Sequence, residues 1–96
     1  MDSILQSKKE CYFCPNHNTE ELHSHHVFFG TANKRLSEED GMKIWLCGKH
    51  HNLSHQEGIH FRNDIDLDVK KKAQEAWEKT YGDRSDFIKR YGKSYL

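Results

Sequence analysis

The chain has one proline, six glycines and three cysteines in 96 residues, and no excess of either charge: 15 lysines and arginines balance 15 aspartates and glutamates. Each shortage excludes something. The balanced charge excludes the strongly basic class of non-specific nucleic-acid binder, so any nucleic-acid surface has to be local. No apolar run approaches the ~20 residues that cross a membrane. The opening MDSILQSKKE also lacks the charged, apolar and small-residue parts of a secretory signal, which makes a cytoplasmic location the expectation. In a reducing compartment three cysteines are not a disulfide framework, and an odd number leaves one unpaired in any pairing. Scarce proline and glycine leave no linker, and no segment repeats, so residues 1–96 are expected to form a single domain. Hydrophobic residues make up only 34% of the chain against 31% charged. A domain this small with so polar a balance needs a staple beyond its core, and bound metal is one.

The patterning predicts an α+β chain in the order strand, strand, helix, helix. After a polar lead-in over residues 1–10, CYFC and PNHNTEE read as a knuckle and loop. LHSHHVFF is expected to be a strand stopped by Gly30. TANKRL is expected to be a loop, and SEED a short helical turn capped by Ser37. MKIWLC alternates, with Met42, Ile44 and Leu46 on one face and Lys43 and Trp45 on the other, the period of a half-buried strand. GKHHNLSHQEG is expected to be a helical turn closed by Gly58. A longer helix is predicted from Asp66 or Asp68, carrying Val69, Ala73, Ala76, Trp77 and Tyr81 and ending at Gly82. A last short helix, capped by Ser85, would carry Phe87, Ile88 and Tyr91 and stop at Gly92. The helical part thus covers about residues 66–96.

The strongest chemical signal is a C-x-x-C at Cys11 and Cys14 followed by a C-x-x-H at Cys47 and His50. A two-residue gap lets both side chains of a knuckle converge on one ion, and two knuckles supply the four sulfur and nitrogen ligands of a tetrahedral zinc site. Such a complete shell leaves no position for a substrate, so its role is structural.

Seven further histidines then need a use. His25 and His26 are adjacent in a predicted strand and leave opposite faces, so one can hold a metal while the other reaches a substrate. His50 and His51 are adjacent too, which gives one to the zinc knuckle and frees the other for a second site. After His51 two candidates compete: His55, at i+4 on a shared helix face, and His60, which can turn back after Gly58. His23 shares the strand face of His25 and is a lesser candidate ligand, and His17 is expected to be exposed in the knuckle loop without a role.

Taken in order, CYFC, LHSHHVFFG, WLCGKHHN and GIHF resemble the HNH endonucleases, closest to small phage-type members with a zinc knuckle around a ββα-metal core. The resemblance covers about residues 11–61, and FIKRYGKSYL is similar, less specifically, to the endings of such phage proteins. It implies that His25 binds the catalytic ion, that His26 is the general base, and that a histidine of HHN with a later one, His60 or His55, completes the ion's protein ligands. The chain departs from the family at the start of the second strand, where the usual asparagine falls near Met42.

Residue chemistry fits phosphodiester hydrolysis. A neutral histidine, ordinary pKa ~6.5, can take a proton from water near neutrality. A divalent ion held by neutral imidazoles (Mg2+, Mn2+, Ni2+ or Zn2+) can stabilise charge on phosphoryl oxygens. Lys34, Arg35 and Lys49 are candidate phosphate contacts to double-stranded DNA, and Lys70, Lys71 and Lys72 are expected on the wet face of the long helix. The expectation is therefore a metal-dependent HNH endonuclease in a bacterial host cell, phage or prophage encoded. The competing expectation is a zinc-stabilised module that binds nucleic acid or phage packaging proteins without chemistry. The second histidine cluster separates the two, since a binder has no use for it.

Overall fold

In a computed structural model, residues 2–16, 18 and 20–96 are described; His17 lies outside them. Strand β1 (Leu22–His26) pairs antiparallel with β2 (Lys43–Cys47), with Leu22 opposite Cys47 and His26 opposite Lys43. Helix α1 (Thr31–Asp40) connects them. A π-helical turn at Lys49–Leu53 and a 3-10 turn at Ile59–Phe61 follow β2, and helices α2 (Asn63–Thr80) and α3 (Arg84–Tyr91) complete the chain. This is a small α+β arrangement of a two-stranded sheet and helices. None of the described helices is long and apolar enough to cross a membrane.

The first strand is shorter than LHSHHVFF suggests: it ends at His26, and Val27 and Phe28 turn inward to full burial. Helix α1 replaces the loop expected over TANKRL. Its composition is helix-favouring, with alanine, lysine, arginine, leucine and two glutamates and no internal glycine or proline. It shows no apolar stripe because its two buried residues are Ser37 and Asp40. Ser37 is therefore a mid-helix anchor, correcting its expected role as a cap. Its hydroxyl donates to the Phe28 carbonyl at 2.7 Å and accepts from the Phe28 amide at 3.1 Å, fixing the turn that follows His26. The helix stops at Gly41, whose φ of 72° suits glycine, and whose missing side chain leaves room for the Asp2 carbonyl.

In the second half, α2 begins at Asn63, three residues before Asp66, with Asp64 and Asp66 in its first turn where acids favour the helix dipole. Asp83 caps α3 in place of Ser85, through a reciprocal pair of bonds with Asp86. Phe28, Trp77, Phe87, Tyr91 and Tyr95 form one aromatic cluster, so the loop after β1 is packed directly onto α2 and α3. Asp40 sits at its edge and accepts from Trp77 Nε1 at 2.9 Å, Tyr91 OH at 2.7 Å and the Arg90 guanidinium at 2.7 and 2.8 Å. Burial alone would raise this carboxyl, but the Arg90, Tyr91 and Trp77 donors outweigh it and hold it below the ordinary range. Two residues of the expected stripe face outward: Ile88 and Tyr81 are 40% and 42% exposed, and the interior place is taken by Gln74, which is fully buried.

Candidate metal centres

The Tyr12 amide donates to the Trp45 carbonyl at 2.8 Å and the Cys11 amide to the Asn16 carbonyl at 2.8 Å, which folds the knuckle back on itself alongside β2. Cys11 and Cys14 thereby reach Cys47 at the end of β2 and His50 in the π-helical turn. The four ligand atoms lie within 4.8 Å of one another. Cys14 Sγ is 3.8 Å from Cys47 Sγ, and His50 Nδ1 is 3.1 Å from Cys47 Sγ and 3.6 Å from Cys11 Sγ. Around tetrahedral zinc, bond lengths of ~2.3 Å to sulfur and ~2.0 Å to nitrogen place the ligand atoms roughly 3.5–3.8 Å apart. The cluster fits a metal such as zinc with little adjustment. Desolvation works against ionising Cys11, yet backbone hydrogen bonds at Cys47, Phe13 and Cys14 hold its thiol below the ordinary range. Desolvation, joined by the Cys11 and Cys47 sulfurs, raises Cys14 despite the Asn16 amide. A bound cation would override that and ionise the thiols together.

A second cluster is built on His51, the chain neighbour of His50. His25, His51 and His60 each offer a ring nitrogen within 4.8 Å of the other two. His51 Nε2 and His60 Nε2 are 3.0 Å apart, the spacing of two imidazoles bound to one ion at about 2.0–2.1 Å. Strand alternation places His25 on the inner face of β1, only 3% exposed, and its Nε2 is buried with no hydrogen-bond partner among the described residues. An orphaned buried nitrogen costs free energy unless something fills its lone pair. Burial, with the rings of His60, His51 and His26 and the Lys70 ammonium nearby, pushes the His25 pKa down to about 3. Burial, with His60 and His23, brings His51 to about 4. Both rings are neutral near pH 7, the form that ligates metals.

The close approach of the two turns makes this convergence possible. A side chain on Gly58 would stand 2.6 Å from the Ser54 carbonyl oxygen and 3.0 Å from that of His51, so glycine lets the chain fold down and return His60 to His51. His55 takes no part: it is exposed, with its ring against Phe61 at 4.2 Å between centroids. The triad opens into a cavity of about 230 Å³ lined also by Ser24, His26, Phe29 and Lys34.

His26 leaves β1 on the face opposite His25, and its Nε2 lies 3.0 Å from Glu38 Oε1. Glu38 also accepts from Lys43 Nζ at 2.8 Å, and these two contacts bring its carboxyl down to about 2. An ionised carboxylate only accepts hydrogen bonds, which puts the His26 proton on Nε2 and leaves Nδ1 as the basic nitrogen. Glu38 was invisible to sequence reasoning because it lies in the segment expected to be a short capped turn. Met42, near where the family asparagine is expected, is fully buried in the core, and the adjoining loop is held instead by Ser37 and by a 2.9 Å bond from the Val27 amide to the Met42 carbonyl.

Of the candidate phosphate contacts, Lys34 lines the cavity and has no ion pair among the described residues. Arg35 is paired with Glu39 and Lys49 with Glu57, both at 3.3 Å. Lys70 is not on a wet face: it bonds Asp66 at 2.8 Å and covers the Phe29 ring at 4.2 Å. Lys71 is exposed, and Lys72 pairs with Asp68 at 3.0 Å.

No protein-family model matches the chain, and neither does any curated protein or solved structure.

Proposed function

We propose that the protein is a metal-dependent phosphodiesterase of the HNH type acting on DNA, built on a ββα-metal core in which β1, β2 and the turns after β2 surround the ion. The observation that carries this reading is a buried His25 ring whose Nε2 has no partner among the described residues, with a ring nitrogen within 4.8 Å of those of His51 and His60, beside a His26 bonded to a carboxylate. A zinc-stabilised binding module has no need of either feature.

His25, His51 and His60 would hold the ion with neutral rings. Three protein ligands leave room on the ion for substrate, and when bound it supplies Lewis-acid charge beside the phosphoryl and departing oxygens. His26 Nδ1 takes a proton from water as the water oxygen forms its bond to phosphorus and the bond from phosphorus to the ester oxygen breaks. The departing oxygen is protonated by solvent. Glu38 holds the His26 ring in place and stabilises the imidazolium that results, a role of a hydrogen-bonded carboxylate beside a general base. Lys34 at the cavity mouth contacts a phosphate of the bound strand, and the charge pairs on Arg35 and Lys49 make their contributions smaller. The reading places the protein with phage or prophage nucleases that act in the host cytoplasm, alone or with packaging proteins.

The test is cleavage of duplex DNA by zinc-loaded protein with Mg2+, Mn2+, Ni2+ or Zn2+ added. His26→Ala should keep DNA and metal affinity and lose roughly 10²- to 10⁴-fold in rate, the range for a missing general base. Equal cleavage by parent and variant, or none by the parent with any of these ions, overturns the reading.

A further inference from the structure

His23 Nδ1 lies 2.9 Å from His51 Nδ1, with the rings edge to face at a centroid distance of 5.0 Å. His51 is thus engaged at both nitrogens: Nδ1 toward His23 and Nε2 toward His60. His23 is outside the set of three rings whose nitrogens share a 4.8 Å sphere.

A neutral imidazole that gives Nε2 to an ion carries its one proton on Nδ1, and that proton needs an acceptor to keep the ring oriented. The nitrogen facing it in this structure belongs to His23. We infer that His23 is the positioning residue of the second metal centre: its bare Nδ1 accepts the His51 Nδ1–H, fixing the tautomer and ring plane in which His51 presents Nε2 to a divalent cation. His23 keeps its own proton on Nε2. This inference deepens the proposed function and rests on an ion binding between His25, His51 and His60.

The surroundings of His23 support the role. It is half-buried on β1 opposite Leu46, on the strand face of His25. It lines a cavity of about 440 Å³ together with Cys14, Cys47, Gly48 and His50, so it stands between the two clusters. A side chain on Gly48 would come within 4.0 Å of His23 Cε1, so the backbone leaving the zinc knuckle runs beside the ring. One imidazole thus joins the turn shaped by the Cys3His site to a ligand of the other site.

The experiment is titration of Ni2+ into full-length protein carrying one zinc, followed by calorimetry, for the parent, His23→Ala, His23→Gln and His51→Ala. Loss of an outer hydrogen bond to a metal-bound histidine typically lowers affinity roughly 10- to 100-fold. His23→Ala should weaken Ni2+ binding by that factor, keep one zinc per chain and melt within a few degrees of the parent. His23→Gln, whose side-chain oxygen accepts the same proton, should recover most of the loss. In parallel, ring 15N correlation spectra of zinc-saturated parent should show the His51 proton on Nδ1 and none on Nδ1 of His23. Parent-like affinity in His23→Ala overturns the inference. So does a loss as complete as that of His51→Ala without rescue by glutamine, which would make His23 a ligand. A joint fall in zinc content and melting would make its role one of folding, and overturns it too. If the parent takes up no Ni2+ beyond its one zinc, the proposed function fails together with this inference, a result distinguishable from the others because it appears before any substitution.

Discussion

His50 and His51 are neighbours in sequence and serve two clusters of different character. The His50 cluster has three sulfurs and one nitrogen, and all four of its places are filled by protein. The His51 cluster has three imidazoles, one deeply buried and one exposed, and it opens into a cavity. Soft thiolates in a closed tetrahedron favour zinc and leave it nothing to react with. Neutral imidazoles with open positions favour a divalent cation that can meet an anionic substrate. From the π-helical turn the two adjacent side chains leave in different directions, His50 toward Cys11, Cys14 and Cys47 and His51 toward His25 and His60. One cluster would stabilise the fold, and the other would use the rigidity so gained.

The largest effect should come from breaking the closed site. Cys14→Ser, or chelation of zinc from the parent, should remove one equivalent of metal and cost most of the folding free energy, because ligand binding and folding are one process in small metallo-domains. Zinc content and circular dichroism check this, and a chain that loses the metal and keeps its melting temperature would put the staple elsewhere. Acid should strike the open site next. In ion-free protein His25 is buried neutral with a pKa near 3, below its unfolded value of ~6.5. Its contribution to stability is therefore complete above pH 6.5 and is lost as pH falls toward 3, by about 1.4 kcal/mol per pH unit. Urea unfolding across this range should show that slope, and His25→Phe should reduce it.

Gly58→Ala should sharpen the comparison further. The added carbon meets two backbone carbonyls, and relieving the clash costs about 1–3 kcal/mol and displaces His60. Zinc should stay at one equivalent while the second ion binds more weakly, and calorimetry with Ni2+ reads both. The smallest effect concerns substrate. Lys34→Ala should reduce the slope of log affinity for DNA against log salt by about one, as expected when one phosphate contact is lost. Arg35→Ala, already neutralised by Glu39, should change it less.

Much of the closed site was legible in the sequence, because each knuckle is local: Cys11 with Cys14, and Cys47 with His50, are two residues apart and need only converge. The long helix and the second strand were legible for the same reason, through apolar periodicity. The interior positions that are polar were not. Ser37, Asp40 and Gln74 are buried because distant partners satisfy them: Phe28 for Ser37, Ser94 and Tyr95 for Gln74, and Trp77, Arg90 and Tyr91 for Asp40. A segment that buries serine and aspartate shows no apolar stripe when hydrophobicity alone is followed, so TANKRL reads as a loop and SEED as no more than a short turn. Losing α1 also hid Glu38, the partner of His26. Spacing left His55 and His60 both open as companions of His51, and the choice was made by Gly58 and the 3-10 turn, which bring His60 back to the triad while His55 stacks on Phe61.

The central claim is that the chain holds two metal ions of different kinds, one for folding and one for chemistry. The most direct measurement is anomalous scattering from crystals of zinc-purified protein soaked in Mn2+, recorded above and below the zinc edge. The account predicts a zinc peak bounded by Cys11, Cys14, Cys47 and His50, and a second peak, present at both wavelengths, bounded by His25, His51 and His60. A single peak at the cysteines, with the three imidazoles holding only one another, would contradict it.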